Sequence, residues 1–170
     1  KVLKQIPPEG KHEITQAVDL YDAEIAYADQ ELGRFFVELK KRGLYDTSFI
    51  LLTADHGEAF YEHKNWQHGW TLYDEIVHIP MILKWPKSKQ QGRVATLVSQ
   101  TDVFATLLGQ TPVSLPHARS FDLTQNVEMR SQNRPRRYAI SEFTSNPPPG
   151  EPPVKHISLR TNSNKYVASF

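Results

Sequence analysis

A carboxylate stands directly beside an imidazole in the run Thr53-Ala54-Asp55-His56-Gly57-Glu58. An aspartate oxygen and a histidine nitrogen are competent donors to one divalent cation, and by donor type alone the pair suits zinc or manganese. The run continues from Ser48-Phe49-Ile50-Leu51-Leu52-Thr53, a short apolar stretch that reads as a strand. In open α/β sheets, ligands bind just beyond the carboxyl ends of strands, which is where Asp55 and His56 fall. Neighbouring residues of a strand face opposite sides, so both can serve one site only where the chain leaves the strand. Gly57 permits the tight turn or close approach this needs. Taken alone, an Asp-His-Gly triplet is more often an aspartate capping a turn beside an incidental histidine. Glu58 reads as a loop anchor, or as a hydrogen-bond partner of one of the two ligands.

The elements around this run must position it. From Glu13 to Arg42, Ile14, Ala17, Leu20, Tyr21, Ile25, Ala28, Leu32, Phe35, Phe36 and Leu39 recur at spacings of three and four. That spacing predicts a long helix with one apolar face packed in a core, closed by Lys40-Lys41-Arg42 and Gly43. About thirty residues is long for a globular helix, which invites a break near Asp29. The unbroken apolar character of residues 48–53 predicts a strand buried on both faces, as in a parallel sheet. A second strand is expected at Met81-Ile82-Leu83-Lys84-Trp85, ended by Pro86. Thr101 is expected to cap a helix through Leu108, with Asp102 in its first turn and Gly109 beyond its end.

The composition changes after Pro112. Residues 114–137 are polar and hold Arg130, Arg134, Arg136 and Arg137, a cluster that reads as solvated surface. Five of the twelve prolines crowd into residues 147–153, as in a rigid extended loop. Strands are expected at Tyr138–Phe143, Val154–Thr161 and Lys165–Phe170, with a hairpin turn at Asn162-Ser163-Asn164. The expected organisation is an α/β core part over 1–113, then a connector and a small antiparallel subdomain over 114–170.

Bulk properties narrow the functional classes. Twenty basic and nineteen acidic side chains leave a formal charge of +1, so no global field selects nucleic acid or a membrane surface. There is no cysteine, hence no disulfide, thiolate ligand or cysteine nucleophile in these 170 residues. No run approaches the roughly 18 apolar residues of a membrane-spanning helix. The first residues do not form a signal peptide and lack an initiator methionine, so the N-terminus reads as a cut end, and the sequence leaves localisation open.

The succession of motifs resembles the sulfatase family of the alkaline-phosphatase superfamily. The residues that carry the resemblance are Asp55-His56, Glu62-His63, Trp66-Gln67-His68-Gly69, Leu72-Tyr73-Asp74-Glu75 and Ile79-Pro80-Met81-Ile82 before Trp85-Pro86. Tyr21-Asp22-Ala23-Glu24-Ile25, Thr101-Asp102-Val103 and the closing Ser158-Leu159-Arg160-Thr161 with Lys165-Tyr166 also fit. The resemblance implies the C-terminal part of an alkaline-phosphatase-like α/β core. It implies a hydrolase of sulfate esters, such as those of sulfated sugars, acting with a divalent cation, usually calcium. Asp55 and His56 take the family's metal-ligand positions. His68 takes a basic position that is commonly lysine, which contacts the transferred group and can protonate the leaving oxygen. His63 is a candidate substrate contact or loop-ordering residue.

The same resemblance implies a formylglycine nucleophile, made from cysteine or serine in a Cys/Ser-x-Pro-x-Arg motif of an N-terminal half. That motif is not in these residues; Ser114-Leu115-Pro116-His117-Ala118-Arg119 puts its arginine one position too far along. The chain alone is therefore expected to be inactive. Two alternatives stay open. One is a phosphodiesterase, phosphonate monoester hydrolase or phosphoethanolamine transferase of the same superfamily; the other is a non-catalytic module for anionic glycans. Two-zinc branches need a late histidine ligand, and His156 in Lys155-His156-Ile157 is a poor candidate. His12 and His117 read as surface residues and His78 as packing beside a strand. Trp66 and Trp70 are read equally as loop packing or a sugar platform.

Overall fold

In a computed structural model of the chain, the structure describes residues 10–89, 91–113, 122–123, 138–145, 147 and 149–170. The arginine cluster at 130–137 and the Ser114–Arg119 stretch lie outside them. The described residues group into two compact units, Lys1–Gln90 and Gln91–Phe170, whereas the change in composition falls after Pro112.

In the first unit the long periodic segment forms one uninterrupted helix, α1 (Lys11–Lys41), with no break at Asp29. At about 1.5 Å per residue its 31 residues span about 46 Å. Its end is a Schellman closure. Gly43 takes φ +68°, its N–H donates to Lys40 O at 3.0 Å, and Leu44 N–H donates to Leu39 O at 2.9 Å. A residue with a Cβ would be strained at that φ, which is why the basic turn ends in glycine. The apolar stripe is only partly covered. Ile14, Leu32, Phe36 and Leu39 are half-buried, while Leu20, Ile25 and Phe35 stay 69%, 51% and 55% exposed. Full core packing of this face is not what the chain shows.

The apolar run forms β1 (Ile50–Thr53), and Met81–Lys84 forms β2 after a short helix, α2 (Asp74–Val77). The two strands pair antiparallel, Ile50 opposite Lys84 and Thr53 opposite Met81. This corrects the expectation of a parallel sheet and of a fully buried strand, since β1 is half-buried throughout. An apolar run shows that a strand avoids water; it carries no information on the direction of its neighbour. Thr53 Oγ1 donates to Pro80 O at 2.8 Å, latching the end of β1 to the entry of β2. Lys84 Nζ donates to Tyr45 O at 2.6 Å and Ser48 O at 3.2 Å, and sits 4.7 Å over the Tyr45 ring. One cation thus ties the turn after α1 to β2.

In the second unit, α3 (Asp102–Leu108) starts without the expected threonine cap. Thr101 supplies no cap; its hydroxyl bonds Ser99 Oγ at 3.0 Å. Asp102 instead reaches back, its Oδ2 accepting from Ser99 N–H at 2.9 Å, the reciprocal half of a capping box. Buried Thr106 donates to Asp102 O at 2.7 Å and accepts from Leu123 N–H at 3.0 Å. Gly109 ends the helix at φ −60°, so it is not there for left-handed backbone. The strands β3 (Ala139–Thr144), β4 (Lys155–Arg160) and β5 (Lys165–Ser169) form an antiparallel sheet in that order. Thr161 N–H donates to Asn164 O at 2.8 Å and closes the expected hairpin turn. Among the described residues, no helix is long and apolar enough to cross a membrane.

Candidate active site

Leaving β1, the chain enters a loop whose backbone is pinned at both ends. Gly57 N–H donates to Ile76 O at 2.8 Å, and a Cβ on Gly57 would lie 2.0 Å from Glu75 O. Only glycine lets the loop come this close to the α2 backbone. Farther along, Gln67 N–H donates to Ala59 O at 3.0 Å, Phe60 bridges to Trp66, and Glu62 accepts from Phe60 N–H at 2.7 Å. Tyr21 of α1 meets Phe60 edge-on at 5.1 Å, and Trp66 meets the same ring edge-on at 6.0 Å. Trp66 therefore packs the loop, while Trp70 is 53% exposed. Tyr61, Lys64 and Gln67 all hold positive φ, a cost the surrounding contacts must offset.

Within this frame, Asp55 and His56 turn toward one point. Asp55 Oδ2 lies 3.8 Å from His56 Nε2, less than the roughly 4–5 Å spanned by two metal–ligand bonds, so one cation can touch both. Asp55 Oδ1 accepts from the His56 backbone N–H at 3.0 Å. Backbone hydrogen bonds from His56 and from its own N–H hold the Asp55 carboxyl below its usual 3.8, and His56 and His68, when protonated, act in the same direction. It is thus ready as an anionic donor at neutral pH. His56 Nδ1 lies 2.8 Å from Gly57 O. A carbonyl only accepts, so Nδ1 carries the proton and Nε2 keeps the lone pair a metal needs. The pair fits as part of a coordination shell. Among the described residues, no group of three or more His, Cys, Asp or Glu side chains is placed to hold a cation by itself.

His68 joins this pair. Its ring centroid lies 4.2 Å from that of His56 with a 31° tilt, and its Nδ1 lies 2.9 Å from Glu58 Oε2. His63 makes its contacts elsewhere, with Nδ1 2.8 Å from Glu75 Oε1 and its ring stacked on Tyr73 at 3.9 Å. The structure therefore brings Asp55, His56 and His68 together and gives His63 a separate carboxylate partner. The sequence reading offers Glu58 as a partner of the ligand pair and not of His68, and it does not single out Glu75 as the partner of His63. The pairs are ten and twelve residues apart in an irregular loop, where no periodicity signals contact. Of the other histidines, His78 is exposed where packing was expected. His156 stacks on Phe143 at 4.4 Å, and Ser169 Oγ sits 2.8 Å from its Nδ1.

Comparison with known proteins decides the family, for residues 4–113 match the sulfatase family model. The chain belongs to the sulfatase family. It is 28% identical over 165 residues to arylsulfatase K of Canis lupus familiaris, covering 93% of this chain and 30% of that protein. The chain thus spans about 30% of the length of the curated relatives it matches. Among solved structures, a 2-O GAG sulfatase superposes with a TM-score of 0.70 at 20% identity, over 84% of this chain and 31% of that one. A phosphonate monoester hydrolase from Silicibacter pomeroyi gives a TM-score of 0.66 at 23% identity, over 84% and 32%. These likenesses show that the chain has the α/β fold of part of each of those two proteins.

Proposed function

We propose that this sulfatase-family chain supplies the cation-binding and proton-donating side of a sulfuric ester hydrolase site. The nucleophile, a formylglycine, would come from an N-terminal half. One observation carries the reading: a carboxylate and a lone-pair-bearing imidazole nitrogen 3.8 Å apart, with a second imidazole packed 4.2 Å from the first. A divalent cation held there, calcium by family resemblance, would neutralise charge on the ester oxygens. Asp55 and His56 supply two of its donors. His68 gives a proton to the departing oxygen, where negative charge builds as the ester bond breaks. His63, whose Nδ1 lies 2.8 Å from Glu75 Oε1, is proposed as a substrate contact or as a residue that orders the loop. The substrate is a sulfate ester, with sulfated sugars as the class to try first.

The histidine at position 68, where the family commonly carries lysine, favours a second reading, hydrolysis of a phosphodiester or phosphonate monoester. The two-zinc form of that reading has less support, because His156 is engaged by Ser169 and Phe143.

The test uses this chain together with its nucleophile-bearing half. Turnover of sulfate over phosphate esters is expected, lost on chelation and restored by added divalent cation. His68→Ala should lower kcat by about 10²–10⁴ on esters with poor leaving groups, and by less on activated aryl esters. Wild-type rates on both would remove the acid role. A preference for phosphate esters would establish the second reading, and glycan binding without turnover would identify a binding module.

A further inference from the structure

Glu58 and His68 sit on facing arms of the site loop, beside the Ala59–Gln67 backbone bond of 3.0 Å. Ala59 is fully buried, and Gly57 is pinned to Ile76 O, so the backbone on each side of Glu58 is held. Glu58 Oε2 lies 2.9 Å from His68 Nδ1, while Oε1 is buried with no hydrogen-bond partner among the described residues. Leaving a carboxylate oxygen desolvated and unpaired is costly, and a loop anchor alone does not require it. An apolar side chain would fill the same space without that cost. What a carboxylate adds is an acceptor with no hydrogen to give. Facing it, the His68 ring donates from an N–H on Nδ1, which leaves Nε2 on the other side of the ring from Glu58.

We propose that Glu58 is a positioning residue, fixing the tautomer and orientation of His68 against His56 so that Nε2 is the proton-donating atom. The inference rests on the reading of His68 as the acid. It uses the same logic as a carboxylate that orients a catalytic imidazole in hydrolytic triads.

The test compares Glu58→Gln, His68→Ala and the double variant. Glutamine keeps the shape but can donate as well as accept, so the ring is no longer held to one tautomer. In the chain itself, ¹⁵N shifts of the His68 ring should show a proton on Nδ1 in the wild type and a shift toward Nε2–H in Glu58→Gln, with Tm unchanged. In the assembled enzyme, Glu58→Gln should lower kcat about 10–100-fold on esters with poor leaving groups, with KM unchanged and a smaller effect on activated aryl esters. It should cause no additional loss in the His68→Ala background.

Wild-type rates with Glu58→Gln, or a further loss in that background, would overturn the proposal. So would a uniform loss on all esters accompanied by a lower Tm. If His68→Ala kept wild-type rates while Glu58→Gln still moved the ring proton, the acid role would fall and the orienting contact would stand.

Discussion

The site loop and the β3–β4–β5 sheet hold their histidines by opposite means. In the loop, His56, His63 and His68 each present Nδ1 to an oxygen that only accepts, namely Gly57 O, Glu75 and Glu58. In the sheet, His156 Nδ1 meets the Ser169 hydroxyl, which can donate or accept, and the ring lies flat on Phe143. An acceptor-only partner fixes a tautomer and leaves a defined nitrogen for chemistry; a hydroxyl does not. The backbones differ as well. The sheet is held by its ladder, whereas the loop relies on single contacts and three non-glycine residues at positive φ. The candidate site residues sit where the backbone is irregular, where neighbouring side chains can converge on one point.

The sharpest way to break this contrast is to remove one histidine from each region. In the assembled enzyme, His56→Ala should lower kcat/KM by about 10²–10³, the scale of losing one electrostatic stabiliser. His156→Ala should leave the rate unchanged and cost about 0.5–1.5 kcal/mol from the lost stack, read by denaturant unfolding. Equal effects on rate would erase the distinction.

Glycines sharpen it next. Gly57→Ala drives a Cβ to 2.0 Å from a backbone carbonyl that cannot step aside. A destabilisation of about 1–3 kcal/mol is expected, together with displacement of α2. Gly109→Ala meets Asp122 Oδ2 at 2.2 Å, but that oxygen ends a side chain that can rotate, and φ −60° suits alanine. A change below about 1 kcal/mol is expected in the same unfolding experiment. The smallest effect belongs to the sheet surface. Lys155 Nζ and Glu142 Oε2 are 2.9 Å apart, but both side chains are more than half exposed. Glu142→Ala should cost at most about 1 kcal/mol, falling further in salt.

Much of the local structure was legible in the residues. Spacings of three and four predicted α1, and Gly43 marked its end because only glycine takes that left-handed turn without strain. Short apolar runs located β1 and β2, and Thr161–Asn164 announced its turn through residues that bond their own backbone. The Asp55-His56 pair was visible because its members are adjacent. Tertiary structure alone decided that β1 and β2 run antiparallel, since apolar character is blind to strand direction. It also decided the exposure of Leu20, Ile25 and Phe35, because periodicity names a face and not what covers it. The pairing of Glu58 with His68 and of Glu75 with His63 was settled the same way. Across ten or twelve residues of irregular backbone no repeat encodes who meets whom, and only the closure of Gly57 against α2 and of Ala59 against Gln67 brings those groups together.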